Sequence, residues 1–328
     1  MGRLCLYFRR EPEPDRWFPG DRYPRRWLRT LIRRPFPGGL DCVFLNLCAG
    51  LDRLGIPYEV NLPFAELEPQ DRIGVLGVGK YCLKGYNRPN RLVAGIGLMT
   101  HPSEWPTLFE DYPVITYLHA SQWVSDYYRP YYGSRSAIWP VGTDTETWRP
   151  LEGRVPTVDF LIYDKISWDH KRNASALLET IRWALRERGK TVCEIRYGAY
   201  RPEHYHSLLQ SSCAMIFLCK NESQGLAYQE ALSCGVPILA LDPGELQEPD
   251  RSQRVPPRIP ASSVPYWDDR CGLTFRDIAQ FPAVLDAFEE KRRQGHFQPR
   301  SYILENLTLE KCAQRFVDIL KESYEGKA

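Results

Sequence analysis

Glu222 to Asp242 reads E-S-Q-G-L-A-Y-Q-E-A-L-S-C-G-V-P-I-L-A-L-D. Just before it, C-A-M-I-F-L-C over Cys213 to Cys219 is an apolar run of the length of a buried parallel strand. Lys220 and Asn221 follow as a polar turn. From Gly225 to Ser233 the spacing is helical, with Leu226, Gln229, Glu230 and Leu232 on adjoining turns. Gly235 then stops the helix, and Val236 to Leu241 is the next strand, with Pro237 near its start. The stretch is a strand, loop, helix and strand. Its two carboxylates, Glu222 and Glu230, fall on the loop and inside the helix.

That order has a chemical meaning. A helix that starts after a parallel strand presents free N–H groups and a partial positive charge, which favour phosphate. Gly225 lets backbone come close to a ligand there. A carboxylate further along the helix, at Glu230, can accept two hydrogen bonds from a ribose diol. Glu222 lies at the carboxyl end of the strand, where open α/β sheets hold ligands. On two glutamates alone, a plain βαβ unit with solvated side chains is the better reading.

The neighbouring residues carry more. E-x-x-G-L-x-x-x-E-A-L-x-C-G-V-P-I-L-A resembles the E-x7-E motif of retaining glycosyltransferases with the GT-B fold, in particular the family 4-like group. Ser223 and Gln224 stand where that pattern has Gly and an aromatic residue. A second stretch, Pro140-Val141-Gly142-Thr143-Asp144 through Trp148-Arg149-Pro150, resembles the interdomain signature P-x-G-x-D-x-x-x-F-x-P of the same group. The resemblance implies an α/β chain with two Rossmann-like domains facing a central cleft. Residues 1–150 would bind the acceptor, 151–307 the nucleotide-sugar donor, and 308–328 would form a helix crossing back to the first domain. Asp144 and Glu146 read as a turn that caps a short helix rather than as metal ligands.

Carried onto this chain, the resemblance implies a set of roles. Glu222 and His101 are expected as catalytic residues, with His119 a rival for the histidine's place. Gly38, Gly39, Lys165, Lys171, Gly225, Leu226 and Glu230 are expected to bind the donor. At Lys165 the more usual arginine is replaced, which keeps the charge and loses the bidentate fork. The implied activity is transfer of a hexose from a nucleotide diphosphate sugar to an acceptor hydroxyl, with retention at the anomeric carbon. A UDP- or GDP-linked donor and a glycan or lipid-linked acceptor are the foremost expectations. No metal or other cofactor is expected, since lysines and a helix end replace it. A small soluble acceptor, or a nucleotide-sugar-binding protein without turnover, are the other readings.

Composition bounds the rest. The chain has 328 residues, is 43% hydrophobic and 26% charged, and carries a net charge of +2. That balance suits two ordinary domains and offers no overall argument for nucleic acid. The ten cysteines sit mostly in apolar segments without a C-x-x-C pair, as reduced core thiols do. With no signal sequence read at its start, the chain is expected in the cytoplasm. Residues 9–37 alternate arginines with Trp17, Phe18, Tyr23, Trp27 and Leu28. They read as a solvated arginine-rich loop with a short helix over 24–34, or as a peripheral contact with an anionic membrane on its inner face. Further on, a short helix from Gln122 is expected to end at Pro130, and 243–266, rich in Pro and Ser, to form a mobile loop. Helices are expected over Phe275 to Arg293 and Leu309 to Tyr324, the last capped by Thr308.

Overall fold

A computed structural model describes residues 2–12, 14–15, 19, 38–166, 173–246 and 259–326. Lys171, the helix expected over 24–34 and most of the arginine-rich stretch lie outside these residues. The chain forms two compact units. The first comprises Met1–His119, Tyr128–Trp139 and Ala313–Ala328, and the second Ala120–Tyr127 and Pro140–Cys312.

In the first unit, strands β1 (Leu4–Arg9), β2 (Glu59–Val60), β3 (Arg72–Gly77), β4 (Leu92–Gly95), β5 (Val114–His119) and β6 (Ser136–Ile138) form one parallel sheet. Its order is β2-β1-β3-β4-β5-β6. Helix α1 (Gly39–Arg53) buries Val43, Phe44, Leu47 and Leu51, the face that its heptad-like spacing prescribes. Helix α2 (Leu108–Asp111) is a single turn before β5. Inward-facing residues such as Leu6, Ile73, Val93 and Leu118 are fully buried.

In the second unit, β7 (Val158–Asp164), β8 (Val192–Arg196), β9 (Ser212–Leu218), β10 (Ile238–Leu241) and β11 (Gly272–Phe275) pair in parallel. Their order is β11-β10-β9-β7-β8. Alternate residues serve opposite faces, because side chains of a strand repeat with period two. Leu161, Tyr163, Met215, Phe217, Ile238 and Ala240 pack on one face with α5 (Pro202–Ser211) and α6 (Leu226–Ser233). Phe160, Ile162, Ala214, Ile216, Leu239 and Leu241 pack on the other with α4 (Asn173–Glu187) and α7 (Phe281–Arg293). Both faces are covered, so the strands read as unbroken apolar runs rather than alternating ones. Each such side chain contributes on the order of 1.5–3 kcal/mol by leaving water.

Helix α9 (Leu309–Tyr324) is divided at Cys312, its first residues belonging to the second unit and the remainder to the first. Thr308 Oγ1 accepts from Lys311 N at 3.3 Å, as an N-cap does. Within the first unit, Phe316 meets Trp139 at 5.1 Å between ring centroids and lies under Gly74. Ser323 accepts from Thr116 at 2.8 Å, and Tyr324 accepts from Ile73 N at 2.9 Å.

Four local expectations change. Helix α3 (Gln122–Tyr132) runs through Pro130 instead of ending there. The buried rings of Tyr128 and Tyr132, whose hydroxyls bond Met99 O and Trp105 O at 3.1 and 3.0 Å, hold its last turn in place of the missing N–H donor. Phe275 closes strand β11 rather than opening a helix; a β-pairing partner in β10 outweighs local propensity. An additional helix, α8 (Pro299–Asn306), precedes α9. Of the 243–266 stretch, the part from 259 on is anchored: Ser263 is buried, and Asp242 accepts from Ser262 Oγ and Ser263 N at 2.8 and 3.0 Å. Among the described residues no helix is long and apolar enough to cross a membrane. The ten cysteines form no disulfide.

His119 is 2% exposed at the end of β5, between Tyr117 and Tyr128, with Nε2 3.1 Å from Ser136 Oγ. Burial pulls its pKa from 6.5 down to about 4. The unfolded chain therefore binds this proton first, and stability falls as pH drops through the window between those two values. A shift of this size corresponds to about 3 kcal/mol. Urea midpoints measured from pH 7.5 to pH 3.5 (roughly the span that brackets the shift) should show this loss, and His119→Gln should flatten it. An unchanged slope in the variant would refute the assignment.

Candidate functional site

The strand order of the second unit reverses at one place. From β7 the chain crosses to β8 on one side, then returns to β9 on the other. Crossover connections leave the carboxyl ends of two such neighbouring strands in opposite directions, which opens a crevice between them. Lys165 follows β7, and Glu222 follows β9. Lys165 N donates to Leu218 O at 2.8 Å, which ties the two strand ends together.

The two side chains meet. The Lys165 ammonium is ion-paired with Glu222 Oε1 and stands 4.4 Å from the centre of the Tyr197 ring. Burial works against its charge, but Glu222 more than offsets this and holds its pKa above the ordinary lysine range. Lys165 is therefore a fixed cation. Glu222 is 9% exposed and held from several sides. Its N–H donates to Ser262 O at 2.9 Å, its carbonyl accepts from the Trp123 indole at 2.7 Å, and the Cys219 thiol lies 3.7 Å from its carboxylate.

Gly225 caps α6 in the left-handed region, at φ +81°. A Cβ there would meet the Tyr228 ring at 2.0 Å, so both the backbone angle and the space demand glycine. Leu226 is the first helical residue, part-buried. Gln224, the departure from the family pattern, is turned inward. Its amide accepts from Val141 N and donates to Val141 O, both at 3.0 Å, and also donates to Gln229 Oε1 at 3.0 Å. Gln229 in turn donates to Gln224 O at 2.8 Å. An aromatic residue could not make these bonds, so Gln224 serves the joint between the Pro140 turn and α6.

Glu230 is different from the other acids of the unit. It is part-buried, and its carboxyl has no hydrogen-bond or ion-pair partner among the described residues. Desolvation alone raises its pKa to about 8. A carboxyl held in this way gains from any ligand that brings hydroxyl donors.

The remaining expected residues are placed as follows. His101 belongs to the first unit, part-exposed, with Nδ1 accepting from Ser103 N at 3.1 Å and its ring edge-on to Tyr131. Gly38 and Gly39 open α1; the N–H of Gly38 donates to Asp41 Oδ2 at 2.7 Å, and Arg10 pairs with Asp41 at 2.6 Å. That end of α1 thus already carries a carboxylate. Asp144 caps its own turn, accepting from Glu146 N at 3.2 Å and Thr147 Oγ1 at 2.7 Å. Among the described residues no cluster of three His, Cys, Asp or Glu side chains is arranged to hold a metal. Sequence reasoning missed Trp123, Tyr197 and Ser262. Only Tyr197 carries a sequence signal, its place just after a strand.

Comparison of the structure with solved ones places the fold. HepE from Anabaena, solved with UDP, superposes with a TM-score of 0.57 at 11% identity, over 98% of this chain and 100% of that one. Sucrose-phosphate synthase from Thermosynechococcus elongatus gives 0.54 at 12%, over 88% and 94%. The pneumococcal O-GlcNAc transferase GtfA, solved with UDP and GlcNAc, gives 0.54 at 10%, over 79% of this chain and 58% of that one. The chain spans just over half the length of several structures that it matches, GtfA among them. No protein-family model matches the sequence, and no curated protein matches it. At such identities the likeness is one of fold: the chain has the GT-B fold of these glycosyltransferases, with two Rossmann-like domains.

Gln224→Leu removes both bonds to Val141 and leaves its N–H and C=O buried without partners. We expect a loss of about 1–3 kcal/mol in denaturant unfolding. A loss below roughly 0.5 kcal/mol, the scale of an ordinary surface substitution, would mean that the joint does not depend on this amide.

Proposed function

We propose that the chain transfers a hexose from a nucleotide diphosphate sugar to an acceptor hydroxyl, with retention at the anomeric carbon. The observation that carries this reading is the pairing of Lys165 and Glu222 at the switch point, with an unpartnered Glu230 in the helix that Gly225 opens. The GT-B fold supports it. Retention, the hexose and the metal-free route follow the family resemblance.

In this reading, Lys165 and the N–H groups at Gly225 and Leu226 face the donor diphosphate, together with Lys171. An ammonium has three donors, so one can stay on Glu222 while others meet phosphate oxygens. Glu222 positions hydroxyls of the transferred sugar and opposes the positive charge that develops on its ring. Glu230 accepts from the ribose diol. The family resemblance assigns His101 to a sugar hydroxyl or phosphate edge, and Gly38 and Gly39 to the diphosphate.

The chemistry balances without a further reactant. The bond from the anomeric carbon to the phosphate oxygen breaks. A bond from the acceptor oxygen forms on the same face, and the acceptor's proton passes to the leaving phosphate. Each preorganised donor aimed at the leaving oxygen is worth about 3 kcal/mol. The acceptor is a glycan or lipid-linked hydroxyl, and the arginine-rich stretch 9–37 provides the peripheral contact with an anionic membrane.

Two measurements test the donor site. A thermal-shift panel of UDP-, GDP-, ADP- and TDP-linked sugars should show a metal-independent rise with one nucleotide. Lys165→Gln should then cut kcat/KM by about a hundredfold, the scale of one lost oxyanion donor. No shift with any nucleotide would sink the reading.

The ribose role has its own signature. Glu230 is mostly protonated at neutral pH, its pKa being about 8. Hydroxyl donors favour its ionised form, so donor binding should release a proton, and affinity should rise as pH approaches 8. Calorimetry in two buffers of different ionisation enthalpy reads that proton directly. Glu230→Gln should abolish the release; a variant that still releases it would remove Glu230 from the donor site.

A further inference from the structure

The first unit has a switch point of its own. Its order β2-β1-β3 places the reversal at β1 and β3, and a cavity of about 980 Å³ opens beyond their carboxyl ends. That volume lies at the upper end of the ~300–1,000 Å³ of ligand sites. Arg10 and Glu11 line it after β1, and Val78, Gly79 and Lys80 line it after β3. Gly79, at φ +72°, turns the chain there into a short 3-10 turn, Lys80–Leu83.

Two exposed lysines are displayed in this cavity on aromatic supports. Lys80 Nζ stands 4.9 Å from the centre of the Trp105 ring, and Lys84 Nζ 5.6 Å from that of Tyr81. Neither has a carboxylate within ion-pair distance among the described residues. The nearby Asp111 is already engaged, accepting from the Trp105 indole at 2.7 Å and from Thr107 Oγ1 at 2.9 Å. The lining thus sets two lysines, without an ion-pair partner among the described residues, beside aromatic rings, with Glu11 and the engaged Asp111 at its edge. Aromatic faces attract the polarised C–H groups of a pyranose ring, and unpaired ammonium groups attract an anion.

We propose that this cavity binds an anionic saccharide, a sugar bearing a phosphate or a carboxylate. Its role as acceptor rests on the transfer proposed above; its binding does not. Lys80 and Lys84 meet the anionic group, and the part-exposed rings of Tyr81 and Tyr112 meet the sugar face, with the buried Trp105 beneath Lys80.

Calorimetry on the full chain tests this with a hexose 6-phosphate, a hexuronic acid, the neutral hexose and inorganic phosphate. At least one anionic sugar should bind tenfold or more tightly than the neutral hexose, and the tighter of the two anions identifies the source. The double variant Lys80→Ala, Lys84→Ala should weaken that binding tenfold or more. Both lysines are exposed, so its melting temperature should be unchanged. Equal binding of neutral and anionic sugars, binding of inorganic phosphate as tight as the sugar phosphate, no measurable binding of either anionic sugar, or an unaffected double variant would each overturn the proposal. So would a double variant that loses UDP binding instead, since the cavity would then be the nucleotide's. Anionic sugar binding in a chain that binds no nucleotide sugar would uphold the cavity and remove only the transferase reading.

Discussion

A parallel sheet covered on both faces is the constraint on which the rest of this molecule depends. Parallel strands require crossovers, and the crossovers must run over one face or the other. Where their direction reverses, the carboxyl ends of two adjacent strands are left uncovered. Each unit of this chain has such a place, at β7 and β9 in one and at β1 and β3 in the other. The polar residues that follow those strands are therefore gathered at two positions that the hydrophobic pattern has already selected. Chemistry and core packing are set by the same strand order.

The two positions are furnished differently. At β7 and β9 a lysine and a glutamate face each other, buried enough that neither can be lost without leaving the other charge unpaired. The surrounding bonds, from Trp123, Ser262 and the Gln224–Gln229 pair, hold the loop between strand and helix in one geometry. At β1 and β3 the cations are exposed and rest on rings. The first arrangement holds its charges in one fixed geometry, and the second leaves them open to solvent.

Glu230 shows how placement changes a residue's chemistry. A glutamate in an eight-residue helix would ordinarily be a solvated anion. Here the covering protein removes water without supplying a partner, and the carboxyl keeps its proton to about pH 8. Such a group is costly to the free protein and useful only if something else completes it. His119 is the opposite case. It too is perturbed by burial, but its ring nitrogen has Ser136 and its surroundings are complete, so the perturbation reports burial alone.

By itself the sequence determined the alternation of strands and helices and the glycine at 225. It also placed Lys165, Glu222 and Glu230 just after, or within, particular elements. Those features are local: period two and period 3.6 patterning, and a left-handed cap, are written in consecutive residues. Strand β11, helix α8 and the continuation of α3 through Pro130 were not legible, because each is held by partners far along the chain, Ser233 and Thr145 for Arg300 of α8, that outweigh local propensity. The same is true of the site's detail. That Lys165 touches Glu222, that Gln224 reaches Val141 and that Trp123 holds Glu222 are contacts across 57, 83 and 99 residues. Only the tertiary structure could decide them, since sequence order says which residues end a strand but not which strands lie side by side.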